Sequence, residues 1–167
     1  MARKGRSIDD YVLGTPAGPV RLSRLFGRHD HLVVLHNMGT SCPNCTLWAD
    51  EFNGMTRNLE KAAGFCIVSP DDAKTQAACA KSRGWTSKMA SAKGTSFIKD
   101  LGYEDRDGNA LPGISILAKS GRDLTVLDRV RPSRKGRCPS VLEVIWMIPD
   151  AEPAEIAWGK RRRKRTR

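Results

Sequence analysis

Cys42-Pro43-Asn44-Cys45 constrains this chain more than any other feature, because an apolar run, Leu32-Val33-Val34-Leu35, leads into it and large apolar residues at helical spacing come after it. Trp48, Phe52, Met55, Leu59 and Ala62 recur at intervals of four, three, four and three residues, which places them on one face of a helix. A strand that hands a Cys-x-x-Cys pair to the first turn of a helix sets the first sulfur where unpaired N–H groups and the helix dipole favour thiolate over thiol. In that arrangement Cys42 is the candidate nucleophile. Cys45, one turn further along the same face, is the candidate resolving thiol. Gly54 falls inside the helical stretch and predicts a weak point or a kink there.

The 167 residues, 40% of them apolar, suffice for one domain with its own core plus tails. Apolar stretches reach only four or five residues, far short of the roughly 18 to 20 that span a bilayer. Met1 to Asp10 has no apolar segment of the kind found in secretory signals, so the expected compartment is the cytoplasm. Five cysteines at unrelated spacings agree with a reducing compartment and with a transient rather than a structural disulfide. The net charge of +11 sits at the ends of the chain. Arg3, Lys4 and Arg6 carry part of it, and Lys160, Arg161, Arg162, Arg163, Lys164, Arg165 and Arg167 carry most of the rest, leaving Ser7 to Gly159 with 19 basic residues against 18 acidic.

Residues 1–10 read as a polar arm, 11–150 as the folded domain and 151–167 as a linker and basic tail. Tyr11-Val12-Leu13 and Val20-Arg21-Leu22 flank a Gly/Pro-rich turn and predict a hairpin, with Ser23 capping a turn through Phe26. His31 to His36 and Phe65 to Val68 predict buried strands, and Ser69-Pro70-Asp71 opens a second helix that closes at Gly84. Trp85 to Pro112 reads as loop with a short helical turn near Phe97 to Leu101. Ile114 to Leu117 and Leu124 to Leu127 predict a second hairpin. Val141 to Ile148 predicts a closing helix that buries Leu142, Ile145, Trp146 and Ile148.

The order β-α-β-α-β-β-α, with the cysteine pair at the start of the first long helix, resembles the thioredoxin fold, an α/β architecture with a central mixed sheet flanked by helices. The run from His36 through Cys42, Cys45, Trp48 and Asp50 to Phe52 resembles the thioredoxin-like bacterial family known as domain of unknown function 899. Further matches are Arg21-Leu22-Ser23, Leu25-Phe26, Arg83-Gly84-Trp85, the Ser91 and Phe97 region, and Pro112-Gly113-Ile114-Ser115. The resemblance spans roughly residues 10 to 130. After Val130 the chain departs from the family pattern. The thioredoxin resemblance also implies a cis-proline opposite the cysteine pair, and the hairpin places Gly113 at that position with Pro112 one residue early. It implies a buried proton acceptor six residues before the first cysteine as well, a place occupied here by His36.

These features predict a dithiol–disulfide oxidoreductase with no resident cofactor or metal, acting on a protein or small-molecule disulfide and recharged by a cellular thiol donor. Three alternatives stay open. A thioredoxin-fold peroxidase could use Cys42 alone, although the Pro-x-x-x-Thr/Ser-x-x-Cys signature would need proline at Leu35 and Thr or Ser at Gly39. A zinc site lacks a second ligand pair, His29 and His31 being only an HxH before a strand. A binding module could use the basic tail on nucleic acid or anionic membrane, with weak, salt-sensitive and nonspecific affinity. Asp50 and Glu51 read as a solvated helix face, and Cys66 and Cys79 as small apolar residues. Cys138, between Arg137 and Pro139 at a helix start, is the third cysteine in which a lowered pKa is expected.

Overall fold

Strands covered on both faces need consecutive apolar residues, and the two four-residue apolar runs of this chain lie side by side at the centre of its sheet. The computed structural model describes residues 5–133 and 137–151. The elements run β1 (Arg6–Ile8), β2 (Val12–Thr15), β3 (Gly18–Arg21), α1 (Leu22–Leu25), β4 (His31–His36), α2 (Pro43–Ala62), β5 (Gly64–Ser69) and α3 (Ala73–Arg83). After these come β6 (Lys88–Ser91), α4 (Phe97–Asp100), β7 (Gly113–Ser120), β8 (Asp123–Val130) and α5 (Val141–Met147). The strands form a single sheet of order β1-β8-β7-β4-β5-β6-β2-β3. β4, β5 and β6 are parallel, as the connecting helices α2 and α3 require, and the remaining pairs are antiparallel.

Side-chain alternation along β4 divides the core in two. Val33 and Leu35 point to the face covered by α2 and α5, where they meet Trp48, Phe52, Leu59, Val144 and Ile145. Leu32 and Val34 point to the other face, packed with Phe26, Phe97, Leu101 and Tyr103. The periodic stripe of α2 is buried at Trp48, Phe52 and Leu59, with Met55 and Ala62 packed at its margin. The helix runs unbroken through Gly54, which lies on its exposed side with open space around it. α3 begins at Asp72, whose carboxylate accepts the Thr75 N–H at 2.8 Å, and ends at Gly84. This is the mixed α/β thioredoxin-like fold, with the cysteine pair at the start of the long helix α2.

Four local expectations differ from the structure. Residues 6–8, read as part of a polar arm, pair antiparallel with β8 as an edge strand. With Arg6 and Ser7 exposed and Ile8 its one apolar residue, it carries too weak an apolar signal to mark a strand in isolation. β6 lies inside the stretch read as loop and is held by parallel pairing with β5, a long-range contact without local signature. Ser23 caps nothing: its N–H and hydroxyl both donate to the Asp10 carboxylate at 2.8 Å, and α1 starts after Arg21 without a side-chain cap. On α5 the buried residues are Val141, Val144, Ile145 and Ile148, whereas Leu142 and Trp146 are exposed. An i, i+4 pair reads equally well as core or as surface until the partner face is known.

Candidate active site

The loop from β4 to α2 is short and tied down at nearly every residue. Asn37 N donates to the Val68 carbonyl at 2.9 Å, Gly39 N to Asn37 Oδ1 at 2.8 Å, and Thr40 N to Asp71 Oδ2 at 2.7 Å. Gly39 has φ +110°, and a Cβ there would press on the Asp71 carboxylate at 3.0 Å, so both the turn and the close approach call for glycine. Cys42 is the N-cap of α2, with Pro43 at the first helical position, the place where a missing N–H is least disruptive. The Cys42 carbonyl accepts from Thr46 N at 3.1 Å and from its hydroxyl at 3.0 Å.

The two sulfurs differ in setting. Cys42 is partly exposed and its Sγ accepts the Cys45 N–H at 3.2 Å, filling the role usually taken by a capping hydroxyl or carboxylate. Cys45 is buried, and its Sγ lies 2.7 Å from that of Cys42. Burial, reinforced by the neighbouring Cys42 sulfur, pushes the Cys45 thiol up to about 12 against a smaller opposing pull from the Met38 backbone. An accessible sulfur at a helix N-terminus thus sits against a protonated, buried one. That pairing can attack, be resolved and close a disulfide within one turn of helix.

His36, expected as a proton acceptor for these thiols, points away from the face that α2 covers. Strand alternation turns it to the sheet face opposite α2, where its ring stacks on Tyr103 at 3.8 Å and Phe97 at 5.8 Å between centroids. Its Nε2 pairs with Ser115 Oγ at 2.9 Å, and its Nδ1 is buried without a partner. Burial lowers its pKa to about 3, so the imidazole is neutral at physiological pH. The polar residue that does approach the cysteine turn is its neighbour Asn37, buried, with Nδ2 3.4 Å from the Cys45 carbonyl. An asparagine between a strand end and a glycine gave no sequence signal beyond turn propensity.

Pro112 and Gly113 do not supply the cis-proline implied opposite the cysteine pair. All peptide bonds among the described residues are trans, Pro112 included. Gly113 is buried at the start of β7, paired with His36, and covered by the Tyr103 ring so closely that a Cβ would overlap Cε1 and come within 2.7 Å of the Val130 carbonyl oxygen. Glycine is required there for packing, not for access by substrate.

The remaining candidates find structural duties. Asp50 forms an ion pair with Arg83 and accepts from Trp85 Nε1 at 2.6 Å, and the Arg83 guanidinium holds its carboxyl below the usual carboxylate range. Glu51 accepts the Val141 N–H at the start of α5 at 3.2 Å. Cys66 is fully buried in β5, its thiol pushed up to about 12 by burial. The Cys138 thiol is raised rather than lowered, first by partial desolvation of the sulfur in a residue that is otherwise exposed, and then by the electrostatic influence of Glu51 and Cys42. Among the described residues no group of three His, Cys, Asp or Glu side chains is placed to hold a metal ion. No helix among them is long and apolar enough to cross a membrane. Lys160, Arg161, Arg162, Arg163, Lys164, Arg165 and Arg167 lie outside the described residues.

A family model described as "Bacterial protein of unknown function (DUF899)" matches residues 5–135. No curated protein matches the sequence. Solved structures of similar shape include peroxidoxin BcpB from Mycobacterium tuberculosis, 22% identical over 78% of this chain and 86% of that one, with a TM-score of 0.62. A peroxiredoxin-like protein from Aquifex aeolicus is 18% identical over 89% and 86%, TM-score 0.70. Reduced Prx3 in complex with H2O2 from Vibrio vulnificus is 16% identical over 86% and 97%, TM-score 0.68. At these identities the likeness is one of fold.

Proposed function

The chain belongs to the bacterial protein family of unknown function 899, and we propose that it is a thiol oxidoreductase whose Cys42 and Cys45 cycle between dithiol and disulfide. The observation that carries this reading is the asymmetric pair itself: an accessible sulfur at the α2 N-cap, 2.7 Å from a buried one. In the cycle, the Cys42 thiolate attacks one sulfur of a substrate disulfide and displaces the other as a thiolate. Cys45 then attacks the Cys42 sulfur, the bond to the substrate breaks, and the second substrate thiol leaves. The proton held by Cys45 passes to a departing thiolate, and burial of Cys45 ensures that it is given up only as the new bond forms. Two substrate thiols and one protein disulfide result, and a cellular thiol donor restores the dithiol. A reducing compartment such as the cytoplasm supplies that donor.

A second reading changes the oxidant and keeps the residues. The similar folds are peroxiredoxins, one of them solved with H2O2, which favours a hydroperoxide as substrate. The Cys42 thiolate would then displace an alcohol or hydroxide from the O–O bond and become a sulfenic acid, and Cys45 would condense with it, releasing water. The basic tail takes no part in either cycle, so a chain ending before Lys160 should turn over unchanged.

Equilibration in glutathione buffers of graded potential, with subsequent alkylation and peptide mapping, tests the proposal. The expected result is reversible formation of a single Cys42–Cys45 disulfide that Cys42→Ser abolishes. Reduction of insulin disulfides compared with consumption of H2O2 distinguishes the two substrates. Turnover of both that survives Cys42→Ser would overturn the assignment of the nucleophile.

A further inference from the structure

Cys138 closes the segment that leads into α5, and two hydrogen bonds fasten that segment to the first turns of α2. Trp48 Nε1 donates to the Pro139 carbonyl at 3.1 Å, and Val141 N donates to Glu51 Oε1 at 3.2 Å. Between them Ser140 and Glu143 form a capping box, each side chain accepting the other's backbone N–H, which fixes where α5 starts. Trp48 lies three residues beyond Cys45, on the same face of α2, and its indole holds the residue next to Cys138. The segment that carries Cys138 is thereby fastened to the end of α2 that bears Cys42 and Cys45. Negative charge on Cys42 opposes ionisation of Cys138, and negative charge on Cys138 opposes ionisation of Cys45.

We propose that Cys138 is a second resolving thiol for Cys42, closing a Cys42–Cys138 disulfide as an alternative to Cys42–Cys45. The inference rests on Cys42 being the nucleophile, as in the reading above. The Cys45 and Cys138 thiols are both held up, so the difference between them is access: Cys45 is buried and meets a Cys42 adduct only from within the fold. Cys138 is exposed, so an adduct on the partly exposed Cys42 sulfur can be met from the solvent side as well. In the step, the Cys138 thiolate, its proton lost to solvent, attacks the Cys42 sulfur of a mixed disulfide. The Cys42–Cys138 bond forms, the bond from Cys42 to the substrate sulfur breaks, and the substrate leaves as a thiolate that takes up a proton. Two protein thiols are oxidised and one substrate disulfide is reduced to two thiols, the same balance as closure by Cys45. The two closures differ in how the protein disulfide is reduced again. In a Cys42–Cys138 disulfide a thiol donor can attack either sulfur, whereas in a Cys42–Cys45 disulfide only the Cys42 sulfur is accessible.

Oxidised glutathione, a probe that presupposes no physiological substrate, tests this on the full chain. Cys45→Ser is treated with it, blocked with an alkylating agent and digested without reduction. The expected product is an intramolecular peptide link between Cys42 and Cys138, reversed by dithiothreitol, while the Cys45→Ser, Cys138→Ser double variant stops at glutathionylated Cys42. A Cys45→Ser chain that gives the same glutathionylated product as the double variant overturns the proposal. Cys45→Ala, which keeps the buried site apolar, repeats the experiment should serine in that site impair folding. The wild-type chain separates the two claims. A Cys42–Cys45 link in the wild type with no Cys42–Cys138 link in either Cys45 variant refutes only the role of Cys138. Absence of any Cys42 adduct or disulfide in the wild type refutes the underlying assignment of the nucleophile.

Discussion

Acidification from pH 7 to pH 5 should withdraw stability through His36, a residue buried on the sheet face opposite α2. In the unfolded chain an imidazole binds its proton near 6.5, whereas in the fold burial lowers that value to about 3. The native ring lies between Tyr103 and Phe97, with Nε2 on Ser115 Oγ and no partner for Nδ1. Above the unfolded value both states are neutral and His36 contributes no pH dependence. Between 6.5 and 3 only the unfolded state is protonated, so stability falls as pH falls, by about 1.4 kcal/mol per pH unit. At pH 5 the loss amounts to about 2 kcal/mol, and the ceiling near pH 3 is about 5 kcal/mol, a large share of the roughly 5–15 kcal/mol typical of a domain. The assay is urea unfolding of the wild type and of His36→Gln, whose amide can still reach Ser115 but does not titrate, at pH 7, 6 and 5. His36→Gln should be less stable at pH 7 and lose less on acidification. The carboxylates held low by their partners, Asp50, Asp72 and Asp100 among them, are common to both proteins and cancel in the comparison. Parallel stability curves for the two proteins, or a His36 ring that titrates near 6.5 by NMR, would refute the argument.

Gly113→Ala should destabilise by about 1–3 kcal/mol or more, since its methyl would overlap the Tyr103 ring and crowd a backbone carbonyl; urea unfolding measures it. Gly54→Ala should stabilise by about 0.5–1 kcal/mol, because the site is helical, exposed and open, and a raised melting temperature is the readout. Trp48→Phe removes the indole bond to Pro139 at a cost of about 0.5–1.5 kcal/mol beyond the change in packing, and hydrogen exchange at Val141 and Val144 should quicken if that bond anchors α5.

Where a property of this chain depends on near neighbours, it could be read from the sequence. The strand His31–His36, the long helix with its stripe at Trp48, Phe52 and Leu59, the capped start and glycine end of α3, and the β7–β8 hairpin all arise from periodicity, capping and turn chemistry within a few residues. So does the placing of Cys42 and Cys45 at one helix end, because a Cys-x-x-Cys at the start of a helix puts both sulfurs within a single turn. Where a property depends on which elements meet, only the tertiary structure decided it. Spacing put His36 six residues before Cys42, but the direction in which its side chain points is set by the strand's alternation relative to two separate cores, and it fell on the face away from α2. Gly113 fell at the position of the implied cis-proline, and only the packed structure shows that the Tyr103 ring covers it. Leu142 and Trp146 looked buried until α5 docked on its Val141, Val144 and Ile145 side. The segment around Cys138, 96 positions after Cys42 in the chain, is held against the first turns of α2 by a tryptophan and a glutamate of that helix. Local spacing determines which backbone forms, because its hydrogen bonds are local. Burial, charge and access belong to surfaces that exist only once the elements have packed.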